Sequence, residues 1–87
     1  MKTVLITGAS RGIGRAIAKE FAKNNYAVAI NYNKSENDAN SLLNEIKASD
    51  GCAMLCKADV SNKDEVNQMV DMVIKNFGHI DVLVNNA

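Results

Sequence analysis

Eighty-seven residues make one small domain or part of a larger one, and a chain of this size buries only about 60% of its unfolded surface. Ten basic residues balance ten acidic ones, and no run of one sign exceeds two residues. The footprint of a nucleic-acid or membrane-surface protein is therefore missing, and the expected partner is a small molecule. No apolar stretch approaches membrane-spanning length, and Met1-Lys2-Thr3 runs straight into an apolar segment without a secretion signal, so a cytoplasmic location is expected.

Residues 3–7 (TVLIT) form an apolar, β-branched run closed by glycine, the pattern of a strand buried on both faces of a parallel sheet. Ile13, Ala16, Ile17, Ala18, Phe21 and Ala22 then recur at helical spacing up to Asn24-Asn25, where a helix can end. Residues 27–32 (AVAINY) predict a second strand. Ser35 with Asp38 three residues on resembles a capping box with Asp in place of Glu, opening a helix whose buried stripe is Ala39, Leu42, Leu43 and Ile46 and which Gly51 ends. Residues 52–57 (CAMLCK) predict a third strand. Ser61 with Asp64 opens a further helix carrying Val66, Met69, Val70, Val73, Ile74 and Phe77 before Gly78, and residues 81–84 (DVLV) predict a fourth strand.

Strand and helix thus alternate with short connections. That pattern predicts an α/β, Rossmann-type fold: a parallel sheet with right-handed crossovers, helices on both faces and strand order 3-2-1-4. Cys52 and Cys56 fall four apart in one strand, too distant for a disulfide, and His79 is the only histidine, so a zinc site fails as well. Two reduced core thiols and a turn histidine are the readings that remain. Met54, Met69 and Met72 fit core or half-buried positions.

Thr7-Gly8-Ala9-Ser10-Arg11-Gly12-Ile13-Gly14 lies between the first strand and the first helix, where a dinucleotide-binding loop belongs. Glycine permits the tight turn and the close approach of a diphosphate, the free N–H groups of the helix N-terminus point at that diphosphate, and the last glycine lets helix and strand pack. NAD users place a carboxylate about 20 residues past the glycines to accept from the ribose 2′-hydroxyl. Here Tyr32, Asn33 and Lys34 occupy the end of the second strand instead. A carboxylate there would oppose a 2′-phosphate by up to about 4 kcal/mol at a separation of about 4 Å, before screening. Its absence favours NADP(H).

With these motifs the sequence resembles the short-chain dehydrogenase/reductase family, whose glycine motif is Thr-Gly-x-x-x-Gly-x-Gly. Ala58-Asp59-Val60 is similar to that family's adenine-binding acidic motif, and Asn85-Asn86-Ala87 to the start of its Asn-Asn-Ala-Gly motif. The resemblance implies a cofactor site made by Gly8, Ser10, Arg11, Gly12, Ile13, Gly14, Tyr32, Asn33, Asp59, Val60, Asn85 and Ala87. In it Arg11 and Asn33 would meet the 2′-phosphate, Asp59 would accept from the adenine amino group, and the Val60 backbone would lie under the ring. Asn85 and Asn86 would tie neighbouring strand ends together or line the ribose pocket.

Within the family, TGASRGIGRAIA, INYNKSE and KADVSN resemble the 3-oxoacyl-acyl-carrier-protein reductases, the NADPH-dependent branch serving fatty acid synthesis, although sugar and steroid reductases share these motifs. The resemblance implies residues 1–87 to be the N-terminal cofactor-binding part of one domain. The Ser, the Tyr-x-x-x-Lys pair and the further Asn that carry the family's chemistry have no counterpart among them. A carbonyl substrate is expected only in a full-length parent, which the family resemblance implies to be a homotetramer. The other reading is a catalytically inactive nucleotide-binding or interaction fragment. By itself the chain is expected to self-associate, because residues 81–84 are built for the interior of a sheet and would stand at its edge.

Overall fold

Four strands and three helices alternate along the computed structural model, which describes residues 1–86. The strands are β1 (Thr3–Ile6), β2 (Ala27–Tyr32), β3 (Cys52–Lys57) and β4 (Val82–Val84), and between them run α1 (Gly12–Lys23), α2 (Glu36–Ala48) and α3 (Lys63–Phe77). All pairings are parallel, in the order β3-β2-β1-β4, with Leu5 opposite Ala29 on one side and Leu83 on the other. The expected strand order and fold class hold.

Side-chain alternation divides the core in two. Val4, Ile6, Val28, Ile30 and Tyr32 pack with Ala18 of α1 and with Ala39, Leu42 and Ile46 of α2. Leu5, Ala29 and Cys56 point to the other face and meet Met69 and Val73 of α3. β1 and β2 are buried along their whole length because both their faces are covered, which is why they read as continuous apolar runs. β4 is different. Its Val82 and Val84 are half-buried, whereas Leu83 is 63% exposed at the edge of the α3 face.

Several expectations need correction. Thr7 and Asp81 lie just outside their strands; the Asp81 carboxylate accepts from the Thr3 N–H at 2.8 Å and so closes the start of the sheet. Ile13 (74% exposed), Ala16 and Ile74 are not in the core stripes. α1 buries a narrow arc of Gly14 and Ala18, and Ile74 is turned about 100° from the buried Val73. The Ser35 box does not form: Ser35 stands at the cap position at φ −90° and ψ 59°, and its side chain makes no cap hydrogen bond. Nor does Ser61 cap α3. Asn62 does so, accepting from the Glu65 N–H at 3.2 Å, while the Glu65 carboxylate accepts from the Asp59 N–H at 3.0 Å. The cap falls one residue later because Ser61 is committed to Asp59, its hydroxyl donating to the carboxylate at 2.6 Å, and no reciprocal box forms, since the Asn62 N–H donates to the Asp59 carbonyl at 2.9 Å.

α1 ends as expected, with Asn25 in the left-handed region at φ 65°. α2 ends at Ala48, and Gly51 follows because a Cβ there would lie 2.6 Å from the Ile46 side chain. Cys56 is a buried free thiol, but Cys52 is only half-buried. Among the described residues no helix is long and apolar enough to cross a membrane.

Candidate functional site

The C-terminal ends of all four parallel strands meet at one end of the sheet, and the residues singled out in the sequence lie in the segments that follow them. After β1 the chain turns through Gly8 at φ 60° and Gly12 at φ 59°, conformations that cost an L side chain about 1–2 kcal/mol. A Cβ on Gly12 would meet nothing within 4 Å, so the loop leaves open space over this residue. Gly14 is held differently: a Cβ there would come within 2.4 Å of the Gly8 carbonyl oxygen and 2.6 Å of the Asn86 amide. The loop and the helix touch through that glycine.

α1 begins at this loop without help from its own sequence. Arg11 at its cap position supplies no side-chain bond, and no acidic residue stands in its first turn. α3 by contrast has the Asn62 cap together with Asp64 and Glu65. The first-turn N–H groups of a helix have no intrahelical partner and carry about half a positive charge. Beside an open glycine cradle, they fit a diphosphate.

A hydrogen-bond network holds the strand ends in register. The Thr7 N–H donates to the Val84 carbonyl at 3.0 Å, the Asn86 N–H donates to the Thr7 hydroxyl at 2.9 Å, and the Asn86 amide donates to the Gly8 carbonyl at 3.2 Å. Asn85 sits beside the same hydroxyl, with Oδ1 at 3.3 Å. In these contacts Asn85 and Asn86 tie β4 to the glycine loop. On the opposite side Asn31, never singled out in the sequence, joins the loop to β2 and β3. Its carbonyl accepts from the Ala9 N–H at 3.0 Å and its side chain accepts from the Gly8 N–H at 3.2 Å.

The remaining candidates surround this frame. Ser10 is buried, and its carbonyl accepts from Arg15, a residue the sequence reading passed over. The Arg15 guanidinium also donates to the Asp38 carbonyl at 2.9 Å and pairs with Glu45 at 3.2 Å, which clamps α1 and the loop to α2. Arg11 is exposed, with its Nε 3.9 Å from the Asp38 carboxylate. Tyr32 is buried at the end of β2; burial first, and then the negative charge of Glu36, push its hydroxyl pKa up. The first turn of α2 thus brings the Glu36 carboxylate to the end of β2, where the strand itself offers none, and the Asp38 carboxylate to Arg11. Asn33 and Lys34 are exposed.

Asp59 accepts from both the N–H and the hydroxyl of Ser61, and these bonds hold its carboxyl below the usual range. Val60 and Ile13 are large apolar residues left 41% and 74% exposed at this end of the sheet. Ala87 lies outside the described residues. A groove of about 760 Å³ runs between the C-terminal turns of α1 and α2, past Lys23, Asn25 and Gly51. It lies at the opposite end of the sheet from the glycine loop and contains none of the candidate residues.

Comparison with known proteins accords with this geometry. A family model described as short chain dehydrogenase matches residues 2–87. The 3-oxoacyl-acyl-carrier-protein reductase of Staphylococcus epidermidis (strain RP62A) is 48% identical over 86 residues, which are 99% of this chain and 35% of that protein. A hydroxynaphthalene reductase-like protein of Metarhizium robertsii is 40% identical over 99% of this chain and 32% of its own. The crystal structure of a dehydrogenase/reductase from Sinorhizobium meliloti 1021 superposes with a TM-score of 0.96 at 37% identity, over 99% of this chain and 34% of that one. The chain therefore spans about a third of the length of the relatives it matches.

Proposed function

Because the chain belongs to the short chain dehydrogenase family, we propose that it is the cofactor-binding portion of an NADPH-dependent carbonyl reductase, a cytoplasmic 3-oxoacyl-acyl-carrier-protein reductase of fatty acid biosynthesis. The observation that carries this reading is the open glycine turn at the uncapped, acid-free N-terminus of α1. There the N–H groups of Gly12, Ile13 and Gly14 bind the cofactor diphosphate beside Gly8 and Ser10. Asp59 and Val60 take the adenine, Asn85 and Asn86 line the ribose pocket, and Ala87 is counted with the cofactor-binding residues. When bound, the cofactor supplies a hydride for a carbonyl carbon. The carbonyl substrate and a tetrameric assembly belong to the full-length parent.

NADP(H) is preferred because Tyr32 and Asn33 stand where a ribose-binding carboxylate would be, and because Arg11 is free to turn. Its contact with Asp38 is long and exposed, the kind of pair worth at most about 1 kcal/mol. A hydrogen bond from a guanidinium to a phosphate is worth about 1.5–3 kcal/mol, so the 2′-phosphate displaces Asp38. Calorimetric titration tests the reading: NADPH binds more tightly than NADH, and Arg11→Ala weakens NADPH about tenfold or more while leaving NADH nearly unchanged. Equal affinities in the unsubstituted chain would reject the NADP(H) preference. Equal losses on substitution would instead move Arg11 to the diphosphate shared by both cofactors.

A further inference from the structure

Asn31 is a polar residue in an otherwise apolar strand, 2% exposed, and asparagine is among the residues that strands disfavour. Its side chain is nevertheless bonded at both ends. Oδ1 accepts from the Gly8 N–H at 3.2 Å, and Nδ2 donates to the carbonyls of Cys56 and Ala58, each at 3.2 Å. The partners decide which way the amide points, since an N–H needs the oxygen and two carbonyls need the two N–H donors. Aspartate would lack the donors, leucine would satisfy none of the three groups, and the extra methylene of glutamine would not fit a fully packed position.

The three partners belong to the two segments that a dinucleotide must span. Gly8 opens the glycine loop, and Ala58 immediately precedes Asp59 and Val60. The backbone completes the link, with the Ala9 N–H donating to the Asn31 carbonyl and the Ala58 N–H donating to the Tyr32 carbonyl, both at 3.0 Å. We propose that Asn31 is a positioning residue of the cofactor site, its carboxamide setting the distance between the diphosphate loop and the adenine-binding end of β3 before ligand arrives. The proposal rests on the cofactor reading above. Asn31 touches no ligand itself; its effect is preorganisation, which lowers the ordering cost of a ligand that engages both segments at once.

That distinction supplies the test. NADPH engages both the end of β3 and the backbone of the loop that Asn31 holds, whereas adenosine 2′-monophosphate reaches the loop only through the Arg11 side chain. In Asn31→Leu and in the milder Asn31→Thr, the Kd for NADPH rises about ten- to a hundredfold, and the Kd for adenosine 2′-monophosphate rises several-fold less. The ratio of the two constants therefore shifts several-fold. Val28→Ala, a cavity-forming change in the same strand at a fully buried site, lowers the melting temperature and leaves the ratio unchanged. Circular dichroism establishes which variants fold, and Asn31→Thr carries the test if Asn31→Leu does not. An unchanged ratio in a folded Asn31 variant overturns the proposal while the cofactor reading stands. Failure of the unsubstituted chain to bind NADPH overturns the cofactor reading, and the proposal with it.

Discussion

Gly14 shows how little room the loop leaves a single residue. With a Cβ 2.4 Å from the Gly8 carbonyl oxygen, an alanine forces the loop away from α1 and breaks the Asn86 contact on the same oxygen. Overpacking of this kind costs about 1–3 kcal/mol, and in a chain of this length each kcal/mol lowers the melting temperature by about 4–8 °C. Gly14→Ala is expected to melt several degrees lower and to lose affinity for NADPH and NADH alike, because the diphosphate is common to both. Thermal melts and paired titrations check this. A loss confined to one cofactor would show that the clash is absorbed elsewhere. The glycines were legible from their spacing, but the atoms that require Gly14 were not, since Asn86 lies far away in sequence.

Within β3 the two thiols occupy different environments, and that difference is measurable. Burial pushes the Cys56 thiol up to about 12, while an unfolded cysteine titrates near about 8.5. Below about pH 8.5 both states keep the proton and nothing changes with pH. Between about 8.5 and 12 only the unfolded chain releases it, so Cys56 lowers stability as pH rises, by up to about 1.4 kcal/mol per pH unit. The melting temperature should therefore fall between pH 8 and 10 more steeply in the unsubstituted chain than in Cys56→Ala. At pH 8 a thiol reagent should modify the half-buried Cys52 quickly and Cys56 only on unfolding. Equal labelling rates for the two thiols in the folded chain would contradict the burial on which this rests. The β3 pattern revealed the strand and not this asymmetry, because burial of a strand's first residue depends on how far the covering helices extend.

At the scale of the whole molecule, the charged candidates Arg11, Lys34 and Asp59 follow β1, β2 and β3, and the cofactor reading assigns them to the adenosine half. Tyr32 is also at that end, with its proton held by burial and by Glu36. Proton delivery to a developing alkoxide requires a donor within hydrogen-bond reach. The 87-residue chain is accordingly expected to bind NADPH and to reduce no ketone. Turnover by a sample of verified mass, free of contaminating reductases, would refute this. The same architecture leaves β4 at the sheet edge with Leu83 largely exposed. Burying one such side chain is worth about 1.5–3 kcal/mol, against a total stability of about 5–15 kcal/mol for a domain. Sedimentation of the chain by itself should show dimers or larger species, and Leu83→Lys should shift them toward monomer. A sedimentation-verified monomer with dispersed amide signals and slow exchange along β4 would overturn this expectation.

What could be read from the sequence has a short physical range. Apolar runs, helical spacing and glycine placement depend on residues within about a turn of one another. They were enough for the seven elements, and the Rossmann-type doubly wound pattern, with right-handed crossovers, then turned their alternation into the order β3-β2-β1-β4. The capping residues already lay beyond that range. Ser35 and Ser61 both have the right chemistry, but one has the wrong backbone angles and the other is bound to Asp59. Periodicity likewise grouped Ile13 and Ile74 with their helix faces without indicating that the other described residues would leave them exposed. The pairing of Arg11 with Asp38, the clamp made by Arg15 and the junction at Asn31 were decided by tertiary structure alone. Asn31 reaches partners 23 to 27 residues away, and a hydrogen bond is chosen by distance in space, which local patterns do not encode.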